Sequence, residues 1–255
     1  EMQSLVIEDG ITSISGSAFW GCSGLTAPVT IPASVATIGG GAFEKCTGLT
    51  SVIISDGVSV IEHDAFSYCS SLASVTLPDS VTSIGRSVFC GCSSLVSVDI
   101  PDGITSIDHT MFLNCDSLTS VTIPDSVTSI GFQALSGCSS LTSITLPHSV
   151  TSIDPHAFSG CSSLTSIEIP DSITTISVCM FSACRSLTEV TIPDSITTIG
   201  EAAFSLCERL TDVHYAGTET RWNAISIGNS NDPLINAAKH YNSTGRSVVN
   251  YSAPS

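Results

Sequence analysis

Three residue types recur in fixed phase along this chain, and that periodicity leaves little freedom in how it folds. Phe19, Phe43, Phe66, Phe89, Phe112, Phe158, Phe181 and Phe204 form one column, with Leu135 in the remaining place. The spacing is 23 residues, except for 24 at the first step. A cysteine follows three residues later each time, from Cys22 and Cys46 to Cys184 and Cys207, and a leucine three after that, from Leu25 to Leu210. A unit this short cannot bury its apolar columns alone. Stacked on copies of itself, it completes one continuous core.

Residues 118–141 show the unit most clearly. Val121 and Ile123 alternate with Ser120 and Thr122. Alternation of that kind gives a strand one apolar face and one hydroxylated face. Pro124 has no N–H to donate and ends the pairing, and Asp125 and Ser126 suit a turn. Val127 and Ile130 form a second inward pair, as in a short strand. Ala134, Leu135 and Cys138 fall at i, i+1 and i+4, which predicts a short helical segment over 131–138.

Leu118, Val121 and Ile123 have the L-x-x-L-x-L spacing of a leucine-rich repeat. The fold class expected is α/β: a right-handed leucine-rich-repeat solenoid of about nine 23-residue coils. Its parallel strand sheet lies on the concave face, with short helical segments opposite. At the strand spacing the coils stack into a rod about 40 Å long.

The full unit, I-P-D-S-V-T-S-I-G-x-x-A-F-x-x-C-x-x-L, resembles the BspA-like leucine-rich repeats of bacterial and protist surface proteins. The likeness covers residues 5–215. Departures are local: Glu8 and Ser55 stand for Pro, Ala33 and His148 for the turn Asp, and Leu135 for Phe. The resemblance implies a cell-surface or secreted module for adhesion or contact between cells, with no catalytic role. The expected organisation is a repeat array over 1–215, a capping segment over 216–242 carrying Trp222, Ile225, Ile227, Leu234 and Tyr241, and a Ser-rich tail over 243–255. Val248 and Val249 are candidates for an edge strand in that tail.

Charge narrows the partners. Seven Lys and Arg face 23 Asp and Glu, a net charge of -16. Nucleic acid needs a basic footprint, and anionic lipid needs the same, so neither is expected. No apolar run reaches the roughly 18 residues that would insert into a membrane. The start at Glu1-Met2-Gln3 reads as trimmed, with a signal peptide removed. A protein or a glycan, including a host extracellular protein, is the expected partner class.

The chemistry-bearing residues mostly have a structural explanation. Eleven cysteines suggest disulfides or a metal, but nine form an inward column and none makes a C-x-x-C pair, so packing as small hydrophobes is expected. Cys90 and Cys179 lie off the column and are the candidate exposed thiols. Asp9, Asp56, Asp79, Asp102, Asp125, Asp171 and Asp194 stack at the turn, where Asp serves the backbone; no calcium-loop motif accompanies them. His63 and His109 share a repeat position two coils apart, about 10 Å, too far to hold one metal. Neither a G-x-S-x-G elbow nor a His/Asp constellation is present. No metal, no cofactor and no enzymatic activity are expected.

The outward strand positions remain. Most are Ser or Thr, and solenoids use such faces for binding. Asp99, Glu168, Glu189, Asp212 and His214 break the monotony and are the candidate partner-binding residues. Two other readings stay open: an architectural spacer without a ligand, and an ice-binding ladder of Ser-x-Thr, which Ile53, Asp99 and Glu168 interrupt.

Overall fold

The computed structural model describes residues 2–243 and shows the stacked coils. The Ser-rich tail, with Val248 and Val249, lies outside these residues apart from Ser243. Most repeats contribute one strand of three or four residues before the turn and one of two residues after it. Strands of successive coils pair parallel and in register. Ser120, Val121 and Thr122 oppose Ser97, Val98 and Asp99, and Ser129 and Ile130 oppose Ser106 and Ile107. Valine and isoleucine therefore stack inward over their counterparts, and the Ser/Thr positions stack outward. Phe43, Phe66, Leu135, Cys115 and Leu164 are fully buried in one cluster running the length of the array.

The segment over 131–138 and its equivalents are turns, not helices. The helices among the described residues, Glu219–Trp222 and Asp232–Asn236, both follow the repeats. Two positions per coil are left-handed, and these stop a helix, because a left-handed residue cannot continue a right-handed one. The position two before the Phe column includes Asp64, Ser87, Thr110, Gln133, His156 and Ala202, with φ between 52° and 61°. The position two after it includes Lys45, Tyr68, Asn114 and Ala183, alongside Gly91, Gly137 and Gly160. Turning outward frees the N–H groups to bond the next coil. Phe43 N–H donates to the Ala65 carbonyl at 2.8 Å, and Phe112 N–H to that of Ala134 at 2.8 Å.

The cysteine column does more than fill space. The Cys69 thiol donates to the Phe43 carbonyl at 3.1 Å, in the coil before it. The same carbonyl accepts the Cys46 N–H at 3.1 Å. Cys46, Cys92, Cys115, Cys138, Cys161, Cys184 and Cys207 repeat the bond. Each thiol thus supplies a second donor to a buried oxygen, a role alanine cannot fill. Burial pushes the Cys46 thiol up to about 11 and those of Cys138 and Cys207 to about 12. It also raises Cys69, Cys92, Cys115, Cys161 and Cys184.

Cys90 departs from the expectation. It is buried, with the Tyr68 N–H and the Ser67 hydroxyl donating to its carbonyl at 2.6 Å and 3.4 Å, and burial raises its pKa. Cys179 and Cys22 are half-buried. The thiolate is the reactive form. Iodoacetamide at pH 8 should therefore label Cys22 and Cys179 in the folded protein, and all eleven cysteines after denaturation. Intact mass reads the difference, and native labelling of Cys90 or of any column cysteine other than Cys22 would contradict this account.

One coil breaks the pattern. Leu135 replaces Phe, His148 replaces the next turn Asp, and residues 142–146 between them form no strand. Elsewhere a Thr N–H of this strand bonds back one coil, as Thr119 does to the Val96 carbonyl at 2.9 Å and Thr188 to that of Thr165 at 2.9 Å. Thr142 makes no such bond to the Thr119 carbonyl. The five-strand sheet ending at Ser120–Thr122 is thereby separated from the four-strand sheet beginning at Ser166–Glu168. The short strands after the turn stay paired across the break, with Ser129 and Ile130 opposite Ser152 and Ile153. The coils part on the strand face alone.

At the far end the stack is closed by residues 216–243. Tyr215 and Trp222 pack edge to face at 5.3 Å. Ala238–Tyr241 adds a last strand against Asp212–Tyr215. Lys239 Nζ donates to the carbonyls of Leu234, Ile235 and Ala237 and lies 5.8 Å from the Trp222 ring. Trp222, Ile225 and Leu234 are buried, while Ile227 and Tyr241 pack partly buried against the core.

Candidate functional site

The strand face divides the five candidate residues. Asp99 lies in the first sheet, where Thr122 donates to its carboxylate at 2.7 Å. The break at 142–146 separates it from the other four. Glu168, Glu189, Asp212 and His214 all lie in the second sheet. Parallel register puts Glu189 beside Asp212, and Thr191 between Glu168 and His214.

A residue outside the repeats completes the group. His240 pairs in register with His214, and the two imidazoles stack at 4.8 Å with their planes 20° apart. Each reaches diagonally to an acid on the preceding strand. His240 Nε2 is 2.7 Å from Asp212 Oδ1, and His214 Nε2 is 3.8 Å from Glu189 Oε2. Ser243 Oγ lies 3.1 Å from His214 Nδ1. Hydrogen bonds from His240 and Thr211 hold the Asp212 carboxyl below its ordinary range. This contact favours the folded state above the free carboxyl's pKa, and the gain disappears as pH falls through the lowered value. The sequence carries a signal for His240: Asp212-Val213-His214-Tyr215 is echoed by Ala238-Lys239-His240-Tyr241.

The face also offers a depression of about 310 Å³ beside the break, between residues 143–148 and 166–171. A second, of about 230 Å³, adjoins it and shares His148, Glu168, Ile169 and Asp171. Glu168 thus stands where the two meet.

The exposed hydroxyl ladder beside this face is bonded along the stack. Thr119, Thr165, Thr188 and Thr211 donate through Oγ1 to the carbonyl one coil back, at 3.1–3.3 Å. The turn serines behave alike: Ser126 Oγ donates to the Ile104 carbonyl at 2.6 Å and Ser195 Oγ to that of Ile173 at 2.6 Å. Among the described residues no group of three or more His, Cys, Asp or Glu is placed to hold a metal ion. None of their helices is long and apolar enough to cross a membrane.

The chain matches the BspA type leucine rich repeat region over residues 1–119 and 105–231, in six copies. Among solved structures it is similar to a leucine-rich repeat protein from Bacteroides ovatus, at 31% identity and a TM-score of 0.75. That likeness covers 90% of this chain and 59% of the other, so the chain spans little more than half of that protein. A leucine rich cell surface protein from Faecalibacterium prausnitzii is 30% identical, with a TM-score of 0.51 over 85% of this chain and 79% of that one. The T. pallidum leucine rich repeat protein is 28% identical, with a TM-score of 0.52 over 72% and 77%. No curated protein matches the chain.

Proposed function

Because the chain belongs to the BspA-type leucine-rich repeat family, we propose that it is a non-catalytic recognition module, displayed at the cell surface or secreted, that binds a protein or glycan partner through its strand face. One observation carries this reading. Three of the charged interruptions of an otherwise Ser/Thr face, Glu189, Asp212 and His214, gather with His240 in contacts across adjacent strands. Scattered surface charge would not converge on four neighbouring positions. The acidic balance suits a partner that presents basic groups, and the likeness to a cell surface protein supports the location.

The test uses matrix proteins and mucin immobilised as a panel. Wild type should bind at least one member, and the triple variant Glu189→Ala, Asp212→Ala, His214→Ala should bind it at least tenfold more weakly. Equal binding by both would remove the site from this face. Binding by neither would overturn recognition and favour the spacer reading, which hydroxyls already bonded along the stack support.

A further inference from the structure

The break in the strand face leaves main-chain groups without partners on both of its sides. In two other coils the isoleucine before the turn proline donates its N–H to the next coil: Ile100 to the Thr122 carbonyl at 3.2 Å and Ile169 to that of Thr191 at 3.0 Å. Ile123 and Leu146 hold the same place, and neither N–H finds a backbone acceptor. Ser143, Ile144 and Thr145 form no backbone hydrogen bond through N–H or carbonyl. Ser166–Glu168 pairs on one side only, with Glu189–Ile192. Towards that coil the opening continues past the turn, since Ser152–Ile153 and Thr175–Ile176 lie in different sheets. Rows of unpaired donors and acceptors are a template for a further strand. An unpaired donor at a buried residue such as Leu146 costs about as much as a lost hydrogen bond.

The opening is also hollow. The depression of about 310 Å³ is lined by Ile144 and Leu146 from one coil and by Ile167 and Ile169 from the next. Behind it the two coils stay bonded on the turn face, where Phe158 N–H donates to the Met180 carbonyl at 3.0 Å and Gly160 N–H to that of Ser182 at 2.7 Å. The repeat register sets what stands at its rim. Thr145 and Glu168 share one outward strand position, and His148 and Asp171 share the turn position. Glu168 and Asp171 also line the adjoining depression. Among the described residues no Lys or Arg lines either one.

We propose that this cleft takes an extended peptide segment of a partner protein as an added strand, with a basic side chain set against Glu168 and Asp171. A peptide carries N–H and carbonyl groups in the alternation that the open edges present. Main-chain pairing of this kind supplies affinity, and side-chain pockets supply specificity. Alternate side chains of a strand point to opposite faces. A segment that reads apolar, basic, apolar therefore turns its apolar pair inward onto Ile144 and Ile167 and its basic residue outward, between Thr145 and Glu168. The two acids at the rim and a net charge of -16 draw a cation to that place. The cleft goes beyond the recognition reading above: it makes no use of Glu189, Asp212 or His214, and it stands or falls without them.

The whole chain is titrated at pH 8 with the peptide acetyl-Ser-Val-Lys-Val-Thr amide, and backbone amide NMR shifts are followed. Two control peptides accompany it: one with Glu in place of Lys, and one N-methylated at both valines, which keeps the side chains and removes main-chain donors. The Lys peptide should give saturable shifts at residues 143–146 and 166–168. Each control should bind at least tenfold more weakly. The double variant Glu168→Gln, Asp171→Asn should lose at least tenfold in affinity for the Lys peptide with its melting temperature unchanged. The triple variant Glu189→Ala, Asp212→Ala, His214→Ala should bind this peptide as wild type does, which separates this cleft from the cluster tested above. Absence of saturable shifts with the Lys peptide would overturn the proposal. So would equal binding of the N-methylated or the Glu peptide, or shifts confined to the terminal strand Ala238–Tyr241.

Discussion

Asn231→Leu should unfasten the C-terminal end of the solenoid, at a cost of about 3 kcal/mol or more. On the turn face each coil donates N–H groups forward, as Phe181 does to the Ala203 carbonyl at 2.8 Å. The last repeat has no successor to accept them. Asn231, fully buried, stands in for it. Its Oδ1 accepts the Phe204 N–H at 3.0 Å, and its Nδ2 donates to the Gly200 and Gly228 carbonyls at 2.9 Å and 2.8 Å. Asn229 supports it by accepting the Ala202 N–H at 2.8 Å. Leucine keeps roughly the volume and leaves the buried Phe204 N–H and the part-buried Gly228 carbonyl without partners, while the Gly200 carbonyl keeps the Ala203 N–H at 3.4 Å; each unpaired buried group costs about 1–3 kcal/mol. Hydrogen exchange should show Ala203 through Leu210 losing protection before the middle of the array, since a solenoid coil is held only by its neighbours.

Asn231→Asp separates hydrogen bonding from shape. The carboxylate still accepts from Phe204 but faces two carbonyl oxygens, which favours its protonated form and raises its pKa. A raised acid is stabilised as pH falls, so this variant should recover part of its stability relative to wild type between pH 7 and pH 4. An Asn231→Leu protein within about 0.5 kcal/mol of wild type, the range of an ordinary surface change, would refute the capping role.

The sequence made the stacking legible because stacking is what repetition encodes. Phe, Cys and Leu columns at one period require coils in register, and Val121 and Ile123 alternating with hydroxyls require a strand. The turn segment was harder. Ala134, Leu135 and Cys138 point to one side in a helix, but they also do so across a turn with left-handed residues at 133 and 137. Only the recurrence of Gly at 91, 137 and 160 hinted at this, and Lys45, Tyr68 and Leu206 masked it. The thiol-to-carbonyl bonds join residues 26 or 27 apart, which no local pattern displays. Cys90 lies off the column, and its carbonyl is bonded by the Tyr68 N–H of the preceding coil. The candidate site was partly visible because it consists of exceptions. Parallel register brings Glu189, Asp212 and His214 together, whereas Asp99 is cut off by a break whose only sequence marks are Leu135 and His148. His240 was missed because it follows the last repeat.

Phe66→Ala should cost about 3–5 kcal/mol, the usual loss for emptying a buried aromatic site. Phe66 is fully buried, with Phe43 at 5.3 Å on one side and Phe89 at 6.0 Å on the other. Deleting it removes one ring and leaves two others facing a void. Relaxation would require a coil to shift, and backbone bonds on both faces oppose that: Phe66 N–H to the Val88 carbonyl at 3.1 Å, and Gly85 N–H to that of Ile61 at 2.8 Å. The chain already contains a milder form of this change. Leu135 occupies the same column fully buried, and the segment that follows it, 142–146, is the one whose strand-face bonds to the coil before are missing. Phe66→Leu therefore asks what the column requires. If apolar volume suffices, leucine should cost under about 1.5 kcal/mol, as near-isosteric core swaps do, and the strand Ser74–Thr76 should keep its exchange protection. If ring stacking sets coil spacing, Phe66→Leu should open the strand face there as it is open at 142–146, with fast exchange at residues 73–77. The second outcome is expected, because aromatic pairs contribute about 0.5–1.5 kcal/mol beyond the area they bury. Leu135→Phe then gives the reciprocal result: slower exchange at 142–146 if a ring at 135 closes the break, and no change if the ring has no part in it.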